Sequence, residues 1–180
     1  MHRARKIIAG AIVAGALFLT GAALASDAPQ KTLETRYADL YYRDDETLRS
    51  FGRQIGAISF FSRDGARTAE LVAAQLEDIV SRVRRRLDMY PEGPRFNIRV
   101  YPTYLEIQAV YMTYDMNARA PIAFYAHAAR SIYVSVADVT DGVLAHEIAH
   151  AVISIYFVTP PPARMQEILA QYVDRHLWDE

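Results

Sequence analysis

The sequence predicts an α+β domain with a small, mostly antiparallel sheet. Apolar residues make up 52% of the 180 residues and aromatic residues 11%, which suits a packed core and argues against a disordered chain. Several segments have apolar residues at helical spacing, whereas others are extended or alternate between apolar and polar residues as strands do. After the N-terminal region, the predicted order is helix, strand, helix, hairpin, helix and helix.

The N-terminal residues have the composition of a secretory signal peptide. A basic start over residues 2–6 precedes an apolar stretch over 7–24, and Ala23-Leu24-Ala25 has small residues where cleavage requires them. We therefore expect residues 1–25 to be removed and the protein to be exported to the bacterial periplasm or secreted. The alternative is an uncleaved membrane anchor, since roughly 18 apolar residues just span a bilayer. Contact with a membrane is expected only in that case.

The rest of the chain divides into an N-terminal extension over residues 26–64 and a main domain over 65–180. Within the extension, 26–36 are predicted as a leader and 37–42 as a short strand. The segment 44–61 stays unassigned, because its two glycines weaken a helix prediction. The formal net charge of −1 gives no sign of nucleic-acid binding, and no nucleic-acid partner is expected.

The main domain begins with a helix over residues 68–89, which is predicted from apolar spacing and ended by Pro91. Apolar and polar residues alternate over 96–101, which predicts a strand. A helix over 104–114 follows.

Two extended stretches, 122–126 and 131–136, are joined by a short turn and predict a hairpin. Thr140 and Asp141 are both suited to cap the next helix, which is predicted over residues 142–157. A run of prolines separates that helix from the last one, over 163–178.

The string His146-Glu147-Ile148-Ala149-His150 lies inside the helix predicted over 142–157. Residues four apart share one face of a helix, so the two imidazoles are able to bind one metal ion. Glu147 lies beside that face, where its carboxylate can take a proton from a water molecule at the metal. The chain has no cysteine, so any metal site has to use histidines and carboxylates.

The residues around this string are apolar or small, among them Val143, Leu144 and Val152. Titratable groups on such a helix are expensive to bury unless they are paired or bind an ion. This context favours a metal site. The alternative is a solvent-facing His-Glu-His cluster on a half-exposed helix.

A catalytic zinc ion usually has three protein ligands and one open position. A histidine six residues after the second one is excluded as the third ligand, because Tyr156 occupies that position and Ile153 stands where a glycine turn is required. The other option is a carboxylate on the next helix, where Glu167 follows His150 by seventeen residues. Glu167 is either this ligand or a surface carboxylate that the helix N-terminus favours.

Residues 131–173 resemble the metal-binding core of the gluzincin metallopeptidases, most closely the small bacterial peptidase MA-like proteins. The matching strings are Leu144-Ala145-His146-Glu147 and Glu167 with Leu169-Ala170-Gln171-Tyr172. The resemblance implies a zincin-like fold, in which an active-site helix is followed by a C-terminal helix. It implies one zinc ion per chain, held by His146, His150 and Glu167, with Glu147 as general base.

The resemblance also implies that Gln171 holds the Glu167 carboxylate in place. The strand from Ser131 to Val136 would form the sheet edge beside the cleft, where a peptide or protein substrate adds through main-chain hydrogen bonds. The expected function is therefore a zinc-dependent metallohydrolase, a peptidase that uses a Glu-activated water. The alternative is a non-catalytic zinc- or peptide-binding module of the cell envelope.

The sequence departs from the family's pattern in two places. Ile168 stands where the family has a glycine, so helix packing near Glu167 is expected to differ. Gluzincins also carry a further helical subdomain with a tyrosine or histidine that stabilises the oxyanion, whereas this sequence extends thirteen residues beyond Glu167. The candidates for that donor, or for another substrate contact, are His127, Tyr156 and His176, with Tyr125 as a further candidate.

Overall fold

The computed structural model describes residues 31–58, 67–115 and 119–179. Within these ranges the chain forms five α-helices and one five-stranded sheet, so the predicted α+β class is confirmed. The predicted signal peptide lies outside the described residues and stays a prediction. None of the described helices is long and apolar enough to cross a membrane.

The elements follow one another in an order close to the predicted one. The strands are β1 (Lys31–Glu34), β2 (Ala38–Tyr42), β3 (Phe96–Tyr101), β4 (Ala123–Ala126) and β5 (Ser131–Ser135). The helices are α1 (Asp45–Gln54), α2 (Thr68–Leu87), α3 (Tyr104–Tyr111), α4 (Asp141–Tyr156) and α5 (Ala163–His176). A single 3₁₀ turn over His127–Ala129 joins β4 to β5.

The sheet is mixed rather than mostly antiparallel. Its strand order is β1-β2-β3-β5-β4. The outer pairs β1–β2 and β4–β5 are antiparallel, whereas β3 runs parallel to β2 on one side and to β5 on the other. Parallel neighbours need long crossover connections, and helices supply them here, with α1 and α2 between β2 and β3 and α3 after β3.

Residues 31–58, which the sequence analysis assigned to an N-terminal extension, are part of the sheet and its core. β2 pairs with β3 from Ala38, opposite Phe96, to Tyr41, opposite Arg99. Leu40 is fully buried between the sheet and the helices that cover it. A domain boundary at residue 64 therefore does not separate two structural units.

Helix α4 lies between the sheet and two other helices, and it carries the predicted metal-binding string. The Thr140 hydroxyl accepts a hydrogen bond from the Val143 N–H at 3.2 Å, so Thr140 is the N-cap and Asp141, the other predicted candidate, is the first residue of the helix. Its apolar face is buried, with Leu144 and Ile148 fully inaccessible to solvent. The helix contacts α2, α5 and the strands β4 and β5. The prolines after α4 turn the chain, so that α5 packs along it.

The variant Leu40→Ala tests whether β2 shares the core with the rest of the chain. It should lower the free energy of unfolding by about 2–5 kcal/mol, because it removes a fully buried side chain and leaves a cavity. The matched control Leu105→Ala, on α3, should change this quantity by less than about 0.5 kcal/mol, because Leu105 is 78% exposed. Urea unfolding of both variants measures the difference, and equal values would contradict the shared core.

Candidate metal centre

Helices α4 and α5 bring three potential ligand atoms together. The Nε2 atoms of His146 and His150 lie 3.3 Å apart. The Oε2 atom of Glu167 lies 3.6 Å from Nε2 of His146 and 3.7 Å from Nε2 of His150. The three atoms therefore form a nearly equilateral triangle, with two corners on α4 and one on α5.

The size of this triangle fits a tetrahedral metal ion. Bonds of about 2.0–2.2 Å to nitrogen and oxygen set tetrahedral ligand atoms about 3.3–3.6 Å apart. The side chains of His146 and His150 are 20% and 19% exposed and that of Glu167 is 48% exposed, so solvent or a further ligand can approach the triangle. His146, His150 and Glu167 could thus hold one metal ion.

The surroundings of His150 favour its neutral, metal-binding form. Burial lowers the pKa of His150, and the neighbouring His146 lowers it further. Glu167 and a hydrogen bond with the side chain of Gln166 act in the opposite direction. Gln166 also donates to the main-chain oxygen of Pro161 at 2.8 Å, which ties it to the start of α5. The role of Gln166 could not be predicted from the sequence, because its contact with His150 depends on how α5 docks on α4.

Gln171 contacts Glu167 as the sequence analysis expected. Its Nε2 donates to Oε1 of Glu167 at 2.8 Å, one helical turn further along α5. The other carboxylate oxygen, Oε2, is the one that faces the two histidines. This hydrogen bond therefore holds the carboxylate with one oxygen turned toward the histidines.

Glu147 is partly buried between α4 and the sheet. Burial raises the pKa of Glu147 to about 7, a hydrogen bond from the main chain of Tyr125 opposes this shift, and the negative charge of Glu167 adds to it. A cation bound to the three ligand atoms would favour the charged carboxylate. Glu147 thus lies where a carboxylate can exchange a proton near neutral pH.

The three ligand side chains and Glu147 line a cleft of about 570 Å³. Its opposite wall is the edge strand β4, which contributes Tyr125, and the first turns of α5 close a third side. Such a cleft is large enough for a few residues of an extended peptide.

The strand beside the cleft is β4 and not the strand from Ser131 to Val136. β5 lies between β3 and β4, so the main-chain groups on both its sides are already paired. Among the described strands, β4 pairs with β5 alone, and its outer side faces the cleft. The predicted hairpin is present, but its edge strand is β4, so the prediction that Ser131–Val136 forms the edge was wrong.

The candidates for a further substrate contact lie in different places. His127 and Tyr125 line the cleft together with the ligands. Tyr156 is half exposed at the end of α4, where its ring packs against Phe157. His176 stacks on Tyr172 and hydrogen-bonds to its main-chain oxygen at 2.8 Å. Neither Tyr156 nor His176 is among the described residues that line the cleft.

Ser154 holds His127 in the cleft, and the sequence analysis did not identify it. Ser154 follows His150 by one helical turn, so His146, His150 and Ser154 share one face of α4. Its hydroxyl oxygen contacts Nδ1 of His127 and accepts a hydrogen bond from the Tyr125 hydroxyl at 3.2 Å. The four-residue spacing from His150 is the sequence signal that could have pointed to Ser154.

Comparison with protein-family models, with curated proteins and with solved structures finds no match to this chain. The likeness to gluzincins therefore depends on the motif residues alone, and the zincin-like fold stays a prediction.

Metal titration of the purified protein tests the site, with zinc as the probe ion. We expect one ion per chain. Gln171→Ala should weaken the affinity about 10–100-fold, because Glu167 loses the donor that orients it, and Glu167→Ala should weaken it more, because a ligand is lost. Glu70→Ala removes an exposed carboxylate from α2 and is the matched control. Isothermal titration calorimetry on metal-free protein should rank the affinities in this order, and equal affinities would exclude the site.

Proposed function

We propose that this protein is a zinc-dependent metallohydrolase, and specifically a peptidase. The observation that carries the proposal is the triangle of His146, His150 and Glu167 with Glu147 beside it on the same helix. A protein that only stored or bound the metal would have no need of Glu147 at this position. With the signal peptide predicted for residues 1–25, the proposed location is the bacterial periplasm or the extracellular medium.

Zinc is the proposed ion because of the donor set. Two imidazoles and one carboxylate are typical of catalytic zinc sites, which keep a fourth position open for water or substrate. Ca²⁺ and Mg²⁺ prefer sites built from oxygen atoms, so two imidazoles make them poor candidates.

In the proposed reaction, a bound zinc ion supplies Lewis-acid activation of a water molecule and of the scissile carbonyl. Glu147 accepts a proton from the attacking water at its carboxylate and delivers it to the nitrogen of the leaving amine. The hydrogen bond from the Tyr125 main chain orients this carboxylate. His127, which Ser154 and Tyr125 hold in the cleft, can donate a hydrogen bond to the oxyanion that develops on the substrate.

The exposed side of β4 supports a peptide as the substrate. The Ser135 N–H donates to the Ile122 main-chain oxygen at 3.0 Å, so residues 122, 124 and 126 direct their main-chain groups toward β5. Ala123 and Tyr125 consequently direct theirs toward the cleft. The Tyr125 N–H is bonded to Glu147, so an extended peptide that adds to β4 would bond to the main-chain groups of Ala123 and to the Tyr125 carbonyl, and would lie across the ligand triangle.

Glu147→Gln tests the proposed role of Glu147. Against a library of internally quenched peptides, kcat/KM should fall about 10²–10⁴-fold, because the amide cannot take up the proton. Zinc affinity should stay within about twofold, since Glu147 is not a ligand. Glu70→Gln is the isosteric control and should keep full activity. Unchanged activity in Glu147→Gln would refute the role, and zinc binding without hydrolysis in the unaltered protein would favour the binding-module alternative.

Three further variants distinguish among the candidates for the oxyanion donor. His127→Ala should lower kcat about 100-fold with a smaller change in KM, because an oxyanion contact forms in the transition state. Tyr156→Phe and His176→Ala should leave both constants within about twofold, since neither side chain lines the described part of the cleft. Steady-state kinetics with one cleaved peptide measure kcat and KM for each variant. A large loss in Tyr156→Phe or His176→Ala alone would shift the role away from His127.

A further inference from the structure

The cleft at the metal ligands continues into a second cavity at its His127 end. This cavity measures about 370 Å³, and His127 lines both spaces. Its lining residues are Pro94, His127, Ala128, Arg130, Ser154 and Ile155. A substrate that lies along β4 would therefore pass from the ligand triangle, over His127, into this cavity.

Arg130 is the one arginine or lysine among the described residues that line the second cavity. In the described part of the chain, no carboxylate lines the cavity, and the Arg130 guanidinium forms no hydrogen bond or ion pair. The backbone of Arg130 has φ 45°, a left-handed conformation that glycine and asparagine adopt more readily than arginine. An unpaired guanidinium at a conformationally unfavourable position is consistent with a role in binding.

A third cavity, of about 330 Å³, adjoins the second one through Pro94 and Ile155. Three arginines from different parts of the fold line it, namely Arg36, Arg84 and Arg95, whereas a single carboxylate, Glu92, does so in the described residues.

The arginines of the third cavity are only partly neutralised. Arg95 is paired with Asp39 at 3.0 Å and with Glu34 at 3.8 Å. The Arg84 guanidinium lies 4.8 Å from the centre of the Tyr37 ring and 5.5 Å from that of Tyr90, and it donates to the main-chain oxygen of Pro91 at 3.5 Å. Arg84 forms no ion pair among the described residues, so no carboxylate there neutralises its charge. The arginines of the third cavity therefore extend the positive charge of Arg130 farther from the ligand triangle.

We propose that the second and third cavities together form an arginine groove that binds acidic residues of the substrate on one side of the scissile bond. Arg130 is the contact nearer to the ligand triangle, and Arg84 is the farther one. This inference rests on the proposed peptidase function for the cleft itself, whereas the binding of an acidic peptide in the groove can be measured without any turnover.

An extended acidic peptide fits these observations better than a small anion does. The groove runs on from the exposed edge of β4, and an extended chain rises about 3.3 Å per residue, so successive side chains would reach successive cavities. Guanidinium groups form paired hydrogen bonds with carboxylates, which matches glutamate and aspartate side chains. The acidic residues would thus fix the position of the scissile bond over the ligand triangle.

Binding is measured on the zinc-loaded Glu147→Gln protein, so that no peptide is cleaved. The probes are a fluorescein-labelled Gly-Ser peptide that carries several glutamates and the same peptide with glutamines in their place. Fluorescence anisotropy at low salt gives both affinities. In this background, Arg130→Gln and Arg84→Gln remove the proposed contacts, Arg130→Lys keeps the charge, and Arg85→Gln removes an exposed arginine next to Arg84 as the matched control.

The glutamate peptide should bind more tightly than the glutamine peptide, and the preference should shrink as salt is added. Arg130→Gln should weaken the glutamate peptide about two- to fivefold, which is the range for an exposed ion pair, and leave the glutamine peptide unchanged. Arg130→Lys and Arg85→Gln should keep most of the preference. Circular dichroism and zinc content verify that each variant is folded.

Equal affinity for the two peptides, or equal losses in Arg130→Gln and Arg85→Gln, would overturn the proposal. A failure of the proposed peptidase function can be distinguished from a failure of the proposed groove. If the unaltered protein cleaves neutral and acidic peptides alike, the groove is refuted and the peptidase stands. If the glutamate peptide binds with the expected preference but no peptide is cleaved, the groove stands and the peptidase is refuted.

Discussion

The site depends on one constraint, which is that helix α4 has to bury an apolar face and still present titratable side chains to a cleft. Leu144 and Ile148 fill the core, while His146, Glu147 and His150 lie at the border between the core and the cleft. Desolvation at this border disfavours every charged form, so it raises the pKa of Glu147 and lowers that of His150. Burial thus favours the neutral His150 imidazole that can bind a cation, and a bound cation would in turn stabilise the Glu147 carboxylate.

The third corner of the site depends on the packing of α5 against α4. Glu167 reaches the two histidines because Ala170 and Val173 bury their side chains on the same helix and fix its rotation. A shift of α5 by one residue would turn Glu167 by about 100° around the helix axis and away from the histidines. Gln166 restrains one side of the site through its hydrogen bond with His150, and Gln171 restrains the other side through its hydrogen bond with Glu167. The ligand triangle is thus a product of helix docking as much as of the His146–His150 spacing.

Local patterns predicted the parts of the fold that have local causes. The strand Phe96–Tyr101 and the start of the helix Thr68–Leu87 have the predicted positions. Both predictions depend only on neighbouring residues, namely on the alternation of apolar and polar residues in the strand and on the apolar spacing in the helix. Consecutive residues do not determine which strands pair with each other. Neither the pairing of β2 with β3 nor the position of β4 at the edge could therefore be predicted. Gly52 lies inside α1, although a glycine weakens a helix prediction. A β-carbon there would lie 2.7 Å from Val72, so this glycine allows α1 to approach α2 closely.

The same distinction between local and long-range causes explains which residues of the site could be predicted. His146, Glu147 and His150 were predictable because one helix fixes their relative positions, and Glu167 was predictable from its match to the gluzincin pattern. Gln166 and the main chain of Tyr125, by contrast, come into contact with the site only after α5 and β4 have packed on α4. The contact from Tyr125 has a consequence for the proposed substrate. Its N–H is occupied by Glu147, so the main-chain groups left for a peptide are those of Ala123 and the Tyr125 carbonyl. So few main-chain bonds would hold a peptide weakly, and most of the selectivity would then have to come from side chains that reach His127 and Arg130.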